Sequence, residues 1–375
     1  MFLSDWRFRL GSAISLLFLG ILIWQADLGG IKESLGQANY LYVVPAIALY
    51  FAAVYFRALR WRYLLSPLGS FAVTRLYPVV IIGYMANNLI PARLGELVRS
   101  YYLSRRERCS ASAALATIAV ERVYDGVTLL AFAAVAGSLL MLLGFFQGYG
   151  DISRTAAVPL AGAVAAIFAA GLAVLTLLAR EQTSGRFIAF GLRFVPGAER
   201  KRKAADLFQA FIQGLAVLNS PRKHLALFVL SLPIWLLEAS MYLLVGYSFG
   251  LDTFFPSFWS LILVVLLLTA TSNLITSLPT AIGGIGPFEL VAQQTLVALG
   301  VGPTLAGTYG VFLHLVALWL PVNLVGLGLL WWHNLSLGQL ARQSLPSGQI
   351  QEPEDGISGY SSGTGALPQA GKETQ

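Results

Sequence analysis

The sequence predicts an all-α polytopic membrane protein with about six full spans and two re-entrant helical hairpins arranged as an inverted-topology repeat. Three observations carry that expectation. Of 375 residues, 57% are hydrophobic and only 11% charged, with a mean hydropathy of +0.70, whereas soluble domains average about 25% charged. Apolar runs at 8–24, 40–59, 127–146, 156–179, 225–249, 258–275 and 305–332 each approach the ~20 residues that cross hydrocarbon as a helix. Continuous runs of this kind exclude the alternating pattern of a membrane β-barrel. Third, Asn87-Asn88-Leu89-Ile90-Pro91-Ala92-Arg93-Leu94-Gly95-Glu96-Leu97-Val98-Arg99 and Ser277-Leu278-Pro279-Thr280-Ala281-Ile282-Gly283-Gly284-Ile285-Gly286-Pro287-Phe288-Glu289 break apolar sequence with proline, glycine and charge. Such groups survive at membrane depth only when they face protein or water, and paired broken helices in two halves are a pointer to a transporter's binding site.

The run at 8–24 ends in Ile23-Trp24-Gln25 without a small-x-small cleavage site, so it reads as a retained first span. After the span at 40–59, the segment 77–103 has basic flanks on both sides, Arg57, Arg60, Arg62 and Arg75 before it and Arg105, Arg106 and Arg108 after it. Lysine and arginine collect in cytoplasmic loops, so this segment must enter and leave on one side as a hairpin. A long helix at 112–146 then exits the membrane. The linker 180–223 carries Arg180, Arg186, Arg193, Arg200, Lys201, Arg202, Lys203, Arg222 and Lys223 among Phe187, Phe190, Leu207, Phe208, Phe211 and Ile212. It is expected to lie along the inner leaflet against anionic lipids. A span at 225–249, a hairpin at 258–299 entering from outside and a span at 305–332 repeat the order of the first half with opposite orientation. The membrane domain covers 1–335, in halves of about 1–147 and 156–335. The tail 336–375, rich in Gly, Ser, Pro, Gln and Glu, is expected to be disordered. Both termini are placed in the cytoplasm and the protein in the cell membrane.

The net charge of +7 follows from that loop asymmetry and implies no nucleic-acid partner. One cysteine, Cys109, excludes an intramolecular disulfide, and three histidines make a metal cluster or metal cofactor unexpected. Charges within the spans need a specific cause. Glu121 and Asp125 share a helix face, separated by Arg122, and two unpaired carboxylates there would repel. An unrewarded charge at the bilayer centre costs at least about 2.5 kcal/mol, so cations are expected from Arg93 and Arg99 on the hairpin and Arg57 and Arg60 on the preceding span. Two readings stand side by side. Glu96, Arg99, Glu121, Arg122 and Asp125 form a structural ion-pair network, or they orient guanidiniums in a net cationic pocket for a phosphate, which arginine's planar fork suits. The interposed Arg122 argues against Mg2+ at Glu121 and Asp125.

In the second break, Gly283-Gly284-Ile285-Gly286 permits close backbone approach, and Glu289 is placed to cap the following helix. The segment lacks the Lys-Ser/Thr of a nucleotide-binding loop. His314, deep in a span with Asn323 nearby in sequence, reads as a packing residue or as a proton relay or headgroup contact. Trp61, Trp259, Trp319, Trp331 and Trp332 read mostly as interfacial anchors.

Arg57-Ala58-Leu59-Arg60-Trp61, the run Asn87 to Arg99, Glu121-Arg122-Val123-Tyr124-Asp125 and the run Leu278 to Glu289, in that order, resemble the flippase-like transmembrane domain of lysylphosphatidylglycerol synthases over roughly 8–332. The resemblance implies that the two broken hairpins line a lipid-headgroup cavity. It further implies that the chain moves a lipid between leaflets, as that domain moves aminoacylated phospholipid. Stand-alone members of the family are associated with glycolipid, polyprenyl-lipid or hopanoid metabolism. The short polar tail leaves no room for a soluble aminoacyl-transferase domain, so lipid aminoacylation, and enzymatic activity generally, is not expected. The expected substrate is a lipid with an anionic or phosphate-containing headgroup. The candidate binding set is Arg60, Asn87, Asn88, Pro91, Arg93, Gly95, Glu96, Arg99, Glu121, Arg122, Asp125, Pro279, Gly283, Gly284, Gly286, Glu289 and His314. No nucleotide motif is present, so movement is expected to be downhill or ion-coupled. The alternative is a non-transporting subunit or scaffold for a separate lipid-modifying enzyme.

The topology has a direct test, because the lone cysteine is easily removed. In a Cys109→Ser background, single cysteines at Ser70, Arg108 and Lys201 are expected to react with an impermeant maleimide from the cytoplasmic side. Cysteines at Asp252 and Gly300 should react from outside. Labelling of positions 70 and 108 from opposite sides would remove the first hairpin.

Overall fold

A computed structural model describes residues 28–90, 94–146, 197–276 and 282–333, with scattered helical residues between 162 and 193. The expected first span, most of the span at 156–179, the segments 91–93 and 277–281 and the tail lie outside the described residues.

Every regular element among the described residues is a helix: α1 Leu28–Gln37, α2 Val43–Leu64, α3 Val73–Leu89, α4 Gly95–Glu107, α5 Ala111–Leu142, α6 Ala198–Gly214, α7 Pro221–Ser248, α8 Phe258–Thr276, α9 Pro287–Ala298 and α10 Pro303–Trp332. Five segments are long and apolar enough to cross a membrane, namely Tyr40–Leu64, Ala111–Leu142, Pro221–Ser248, Phe258–Thr276 and Pro303–Trp332. The protein is an all-α polytopic membrane protein.

Helix boundaries follow local chemistry. Ser110 caps α5 by accepting from the Ala113 N–H at 3.3 Å. Proline opens α7, α9 and α10, where its missing N–H would have had no helical acceptor. Helix α4 ends on Arg105 and Arg106, which complement the negative end of the helix dipole. Within α10, residues Phe312–Trp319 widen into a π-helical segment just before Pro321, a proline that cannot continue the ladder of hydrogen bonds.

Packing gives each helix one protein-facing side. On α2, Ala46, Tyr50, Ala53, Val54, Arg57, Ala58, Trp61 and Leu64 are buried, a three-to-four-residue recurrence that marks one face. Leu41, Val44 and Tyr55 are exposed, as lipid-facing side chains would be. The main pairings are α2 with α7, α3 with α4, α8 with α9, α4 with α5, α9 with α10, α5 with α8 and α3 with the C-terminal part of α10. Exchanging α2 for α7, α3 for α8, α4 for α9 and α5 for α10 maps these pairings onto one another. The cytoplasm-assigned amphipathic helix α6 lies on α5, where the Ser112 hydroxyl donates to the Leu207 carbonyl at 2.8 Å.

Helices α3 and α4 form one helix–break–helix hairpin, α8 and α9 the other. Close approach of α3 and α4 depends on Gly95. A Cβ there would overlap the Gly83 carbonyl oxygen and the Asn87 side-chain amide. In its absence the Gly95 N–H donates to Asn87 Oδ1 at 2.9 Å, which fills one of the open donors at the start of α4. Gly95→Ala is therefore expected to destabilise the protein by about 1–3 kcal/mol or more, because the obstruction is backbone that cannot rotate away. Thermal unfolding in detergent would register the loss, with Gly328→Ala, where a Cβ meets open space, as the tolerated control.

Candidate functional site

Charged side chains converge where α2, α4, α5 and α7 meet. From α5, Asp125 accepts from Arg60 Nη1 at 2.8 Å and from Trp235 Nε1 at 3.2 Å, and it lies 3.5 Å from Arg122 Nη1 and 3.9 Å from Arg57 Nη1. One turn earlier, Glu121 pairs with Arg99 Nη1 at 2.6 Å and Arg60 Nη2 at 3.6 Å. Arg57 pairs with Glu238 of α7, and Arg122 with Glu96 of α4 at 3.3 Å. Arg60 also donates to the Ser231 hydroxyl at 2.7 Å. Aromatic faces cover two of the cations, with Trp61 3.7 Å from the Arg99 guanidinium carbon and Trp235 4.5 Å from that of Arg57. Such contacts strengthen when water is excluded.

The cations required by Glu121 and Asp125 thus come from Arg57, Arg60 and Arg99, as the sequence suggests. The expected net cationic vestibule is not what the described residues form. Four guanidiniums, Arg57, Arg60, Arg99 and Arg122, are matched by four carboxylates, Glu96, Glu121, Asp125 and Glu238. The correction comes from Glu238, the one charged residue in the apolar run 225–249. A lone intramembrane acid is itself a signal, and it was available in the sequence.

The second hairpin brings a different set of contacts. Gly283, Gly284 and Gly286 have φ of +61°, +77° and +99°, a region that side chains disfavour. Glu289 uses one carboxylate oxygen to accept the Gly286 N–H at 2.7 Å, capping α9, and the other to hold His314 Nδ1 at 2.7 Å. His314 stacks on Phe288 with ring centroids 4.3 Å apart, on the π-helical part of α10, a local geometry enriched at functional sites. The two breaks touch. A Cβ on Gly283 would stand 3.1 Å from the Asn88 carbonyl oxygen and 3.0 Å from Trp319 Nε1. Asn88 Nδ2 in turn donates to Asn323 Oδ1 at 3.3 Å.

Between these groups lies a cavity of ≈ 180 Å³, smaller than the roughly 300–1,000 Å³ of sites that enclose a drug-sized ligand. Of the candidate residues, Asn87, Asn88, Glu96, Arg122, Asp125, Gly283, Gly284 and His314 line it. Outside the lining, Arg60, Gly95 and Glu289 hold the lining residues Asp125, Asn87 and His314, while Glu121 contacts Arg60, Gly286 contacts Glu289 and Arg99 contacts Glu121. Pro91, Arg93 and Pro279 lie outside the described residues. The sequence reading did not name Tyr50, Tyr84, Trp235, Glu238, Asn273 and Thr276, which complete much of the lining, and gave Arg57 only as an ion partner. The interfacial reading fits Trp259, Trp331 and Trp332, which are exposed, but not Trp61, which is fully buried and donates to the Thr117 hydroxyl at 2.9 Å, or Trp319, which is at the cavity. Among the described residues no group of three or more His, Cys, Asp or Glu could hold a metal ion.

Removing one member of a buried pair costs about 3–5 kcal/mol, whereas replacing both by apolar residues is often neutral. Arg57→Leu is expected to unfold the protein at markedly lower temperature in detergent, and Arg57→Leu with Glu238→Leu to recover most of the loss. A double variant no more stable than the single would mean that the pair does not hold α2 to α7.

A family model described as the lysylphosphatidylglycerol synthase TM region matches residues 9–326. A UPF0104 membrane protein of Methanothermobacter thermautotrophicus is 25% identical over 317 residues, covering 82% of this chain and 90% of that one. Glycosyltransferase AglD of Haloferax volcanii is 27% identical over 326 residues, 82% of this chain but 51% of that protein, so the chain spans about half the length of that relative. The UPF0104 membrane protein PH1989 of Pyrococcus horikoshii is 24% identical over 336 residues, 82% of this chain and 92% of that one. No solved structure matches. Since the family match extends over most of the membrane-spanning sequence and all of the cavity, the chain belongs to the family of lysylphosphatidylglycerol synthase transmembrane regions.

Proposed function

We propose that the protein is a lipid transporter of the flippase type, which moves a lipid with a phosphate-containing or otherwise polar headgroup across the cell membrane without catalysing its chemical change. The observation that carries this reading is the cavity lined by charges and amides, set between two broken helical hairpins in an otherwise apolar bundle. Buried ionisable groups of this density are expensive in a membrane and are kept where a polar cargo passes. The headgroup occupies the cavity while the acyl or prenyl chains stay in lipid beside the helices. Asn87, Asn88, Glu96, Arg122, Asp125, Gly283, Gly284 and His314 face it, and Arg93, Pro91 and Pro279 belong to the same breaks in sequence. The packing that maps onto itself when the halves are exchanged supports an inverted repeat, whose halves rock about the cavity. Helix α6, with Arg200, Lys201, Arg202 and Lys203 exposed beside exposed Leu207 and Phe208, is suited to the anionic inner leaflet.

A second reading, a non-transporting membrane subunit for a lipid-modifying transferase, is favoured by one observation. A relative matched over about half its length is named a glycosyltransferase. The two readings part in a liposome assay. Reconstituted protein is expected to move fluorescent phosphatidylglycerol, its lysyl derivative, a glycolipid or a polyprenyl phosphate to the outer leaflet, where a membrane-impermeant quencher reads it. Arg93→Ala should lower that rate at least tenfold with unchanged thermal stability. Protein that moves none of the four lipids but binds a transferase would leave the subunit reading in its place.

A further inference from the structure

We infer that the part of the headgroup received by the cavity is an uncharged, hydroxyl-rich ring, that is, a sugar. This rests on the transport reading for the cavity being a headgroup site and adds the chemical class of the headgroup. Among the described residues, each carboxylate and guanidinium at the wall already lies within 4 Å of an opposite charge. Arg57 is engaged by Glu238 and Asp125, and Arg122 by Glu96 and Asp125. A phosphate entering here would have to take a guanidinium from its carboxylate, and an ammonium would have to take a carboxylate from its guanidinium. Either exchange leaves a buried charge without its partner. One aromatic face at the site, that of Trp235, is already occupied by Arg57 at 4.5 Å.

A neutral hydroxyl disturbs none of this. It donates to the lone pairs a carboxylate keeps after pairing and accepts from the guanidinium N–H groups left over. The wall supplies further groups of the same kind. The Tyr84 hydroxyl and the Asn87 side-chain nitrogen face the site without a hydrogen-bond partner among the described residues. The rings of Tyr50 and Trp319 add apolar surface. Acids, amides and guanidiniums around a ring-sized space with aromatic walls form the donor set that vicinal hydroxyls and C–H faces satisfy together, without change of net charge.

Three families of probes with one matched alkyl tail separate the possibilities: hexyl glucoside, galactoside and mannoside; hexyl phosphate; and hexylammonium. Each is titrated calorimetrically into the full chain in phospholipid nanodiscs, with empty discs subtracted. At least one glycoside is expected to bind saturably and tenfold or more tighter than the phosphate and the ammonium. Tyr84→Phe keeps the ring and removes only an unpartnered hydroxyl, so a purely structural tyrosine would tolerate it without change. Here it should weaken the glycoside about fivefold at unchanged melting temperature, and Glu238→Gln should weaken it further. Tighter binding of phosphate or ammonium, binding of no probe, or glycoside binding indifferent to both variants would overturn the inference. The fate of the transport reading is read separately from the liposome assay. Phosphatidylglycerol movement without glycoside binding removes the sugar and leaves the transporter, and glycoside binding without movement of any lipid does the reverse.

Discussion

The low dielectric of the bilayer allows no buried charge without a partner, and most of this structure follows from how that demand is met. Eight ionised side chains on α2, α4, α5 and α7 find partners only if the four helices hold one register. Asp125 sits at the centre, in reach of Arg57, Arg60 and Arg122 and accepting from Trp235. Sliding α7 by one turn would strip Arg57 of Glu238 and Asp125 of Trp235 together. Buried ion pairs of this kind add little net stability, since desolvation offsets their attraction, but they penalise every alternative arrangement. Small residues then let the helices close on that register, as Gly95 does against α3 and Gly326 against Met85 of the same helix.

The second half meets the same demand with less charge. Glu289 spends one oxygen on a backbone N–H and the other on His314, so a single carboxylate both caps a helix and orients an imidazole. Asn88 and Asn323 join the hairpin of the first half to α10 through an amide–amide hydrogen bond. The halves therefore share a packing scheme, while the two sides of the cavity differ in chemistry: arginine–carboxylate pairs brace one side, and a carboxylate–imidazole contact with amide hydrogen bonds the other.

What could be read in the sequence divides along the same line. Long apolar helices and the breaks between them were legible because hydrocarbon thickness fixes helix length and because proline, glycine and charge cannot face lipid. The expected helix 112–146 is α5 within a few residues, and the two segments expected as re-entrant hairpins hold the helix pairs α3 with α4 and α8 with α9, of which α8 is itself long enough to span. The demand of Glu121 and Asp125 for cations was legible too, since both acids lie on one face of one helix. The stoichiometry of the network was not. Glu238 stands alone in its run, 181 residues from Arg57, and no local pattern joins them. Trp61 misled by type. Tryptophan is enriched at membrane interfaces, but here the indole is a platform for Arg99 and a donor to Thr117. Tyr84 and Asn273 had no signal beyond polarity in apolar surroundings, and their role at the cavity wall exists only in three dimensions.

The contrast between the two sides of the cavity also ranks what can give way. Separating a buried ion pair costs about 3–5 kcal/mol, whereas a neutral hydrogen bond contributes about 0.5–1.5 kcal/mol net. The wall of α2, α5 and α7 carries several of the first kind, linked through Asp125. The contact of Asn88 with Gly283 and Asn323 consists of the second kind and of van der Waals approach at glycine. Under the proposed transport, cargo enters and leaves at the side where contacts are exchanged one hydrogen bond at a time, while the ion-paired side keeps its register. A charge-balanced wall has a further consequence for such a cycle. Among the described residues, the carboxylates and guanidiniums of that wall neutralise one another, so under the proposed transport these groups require no counter-ion in the place of the cargo.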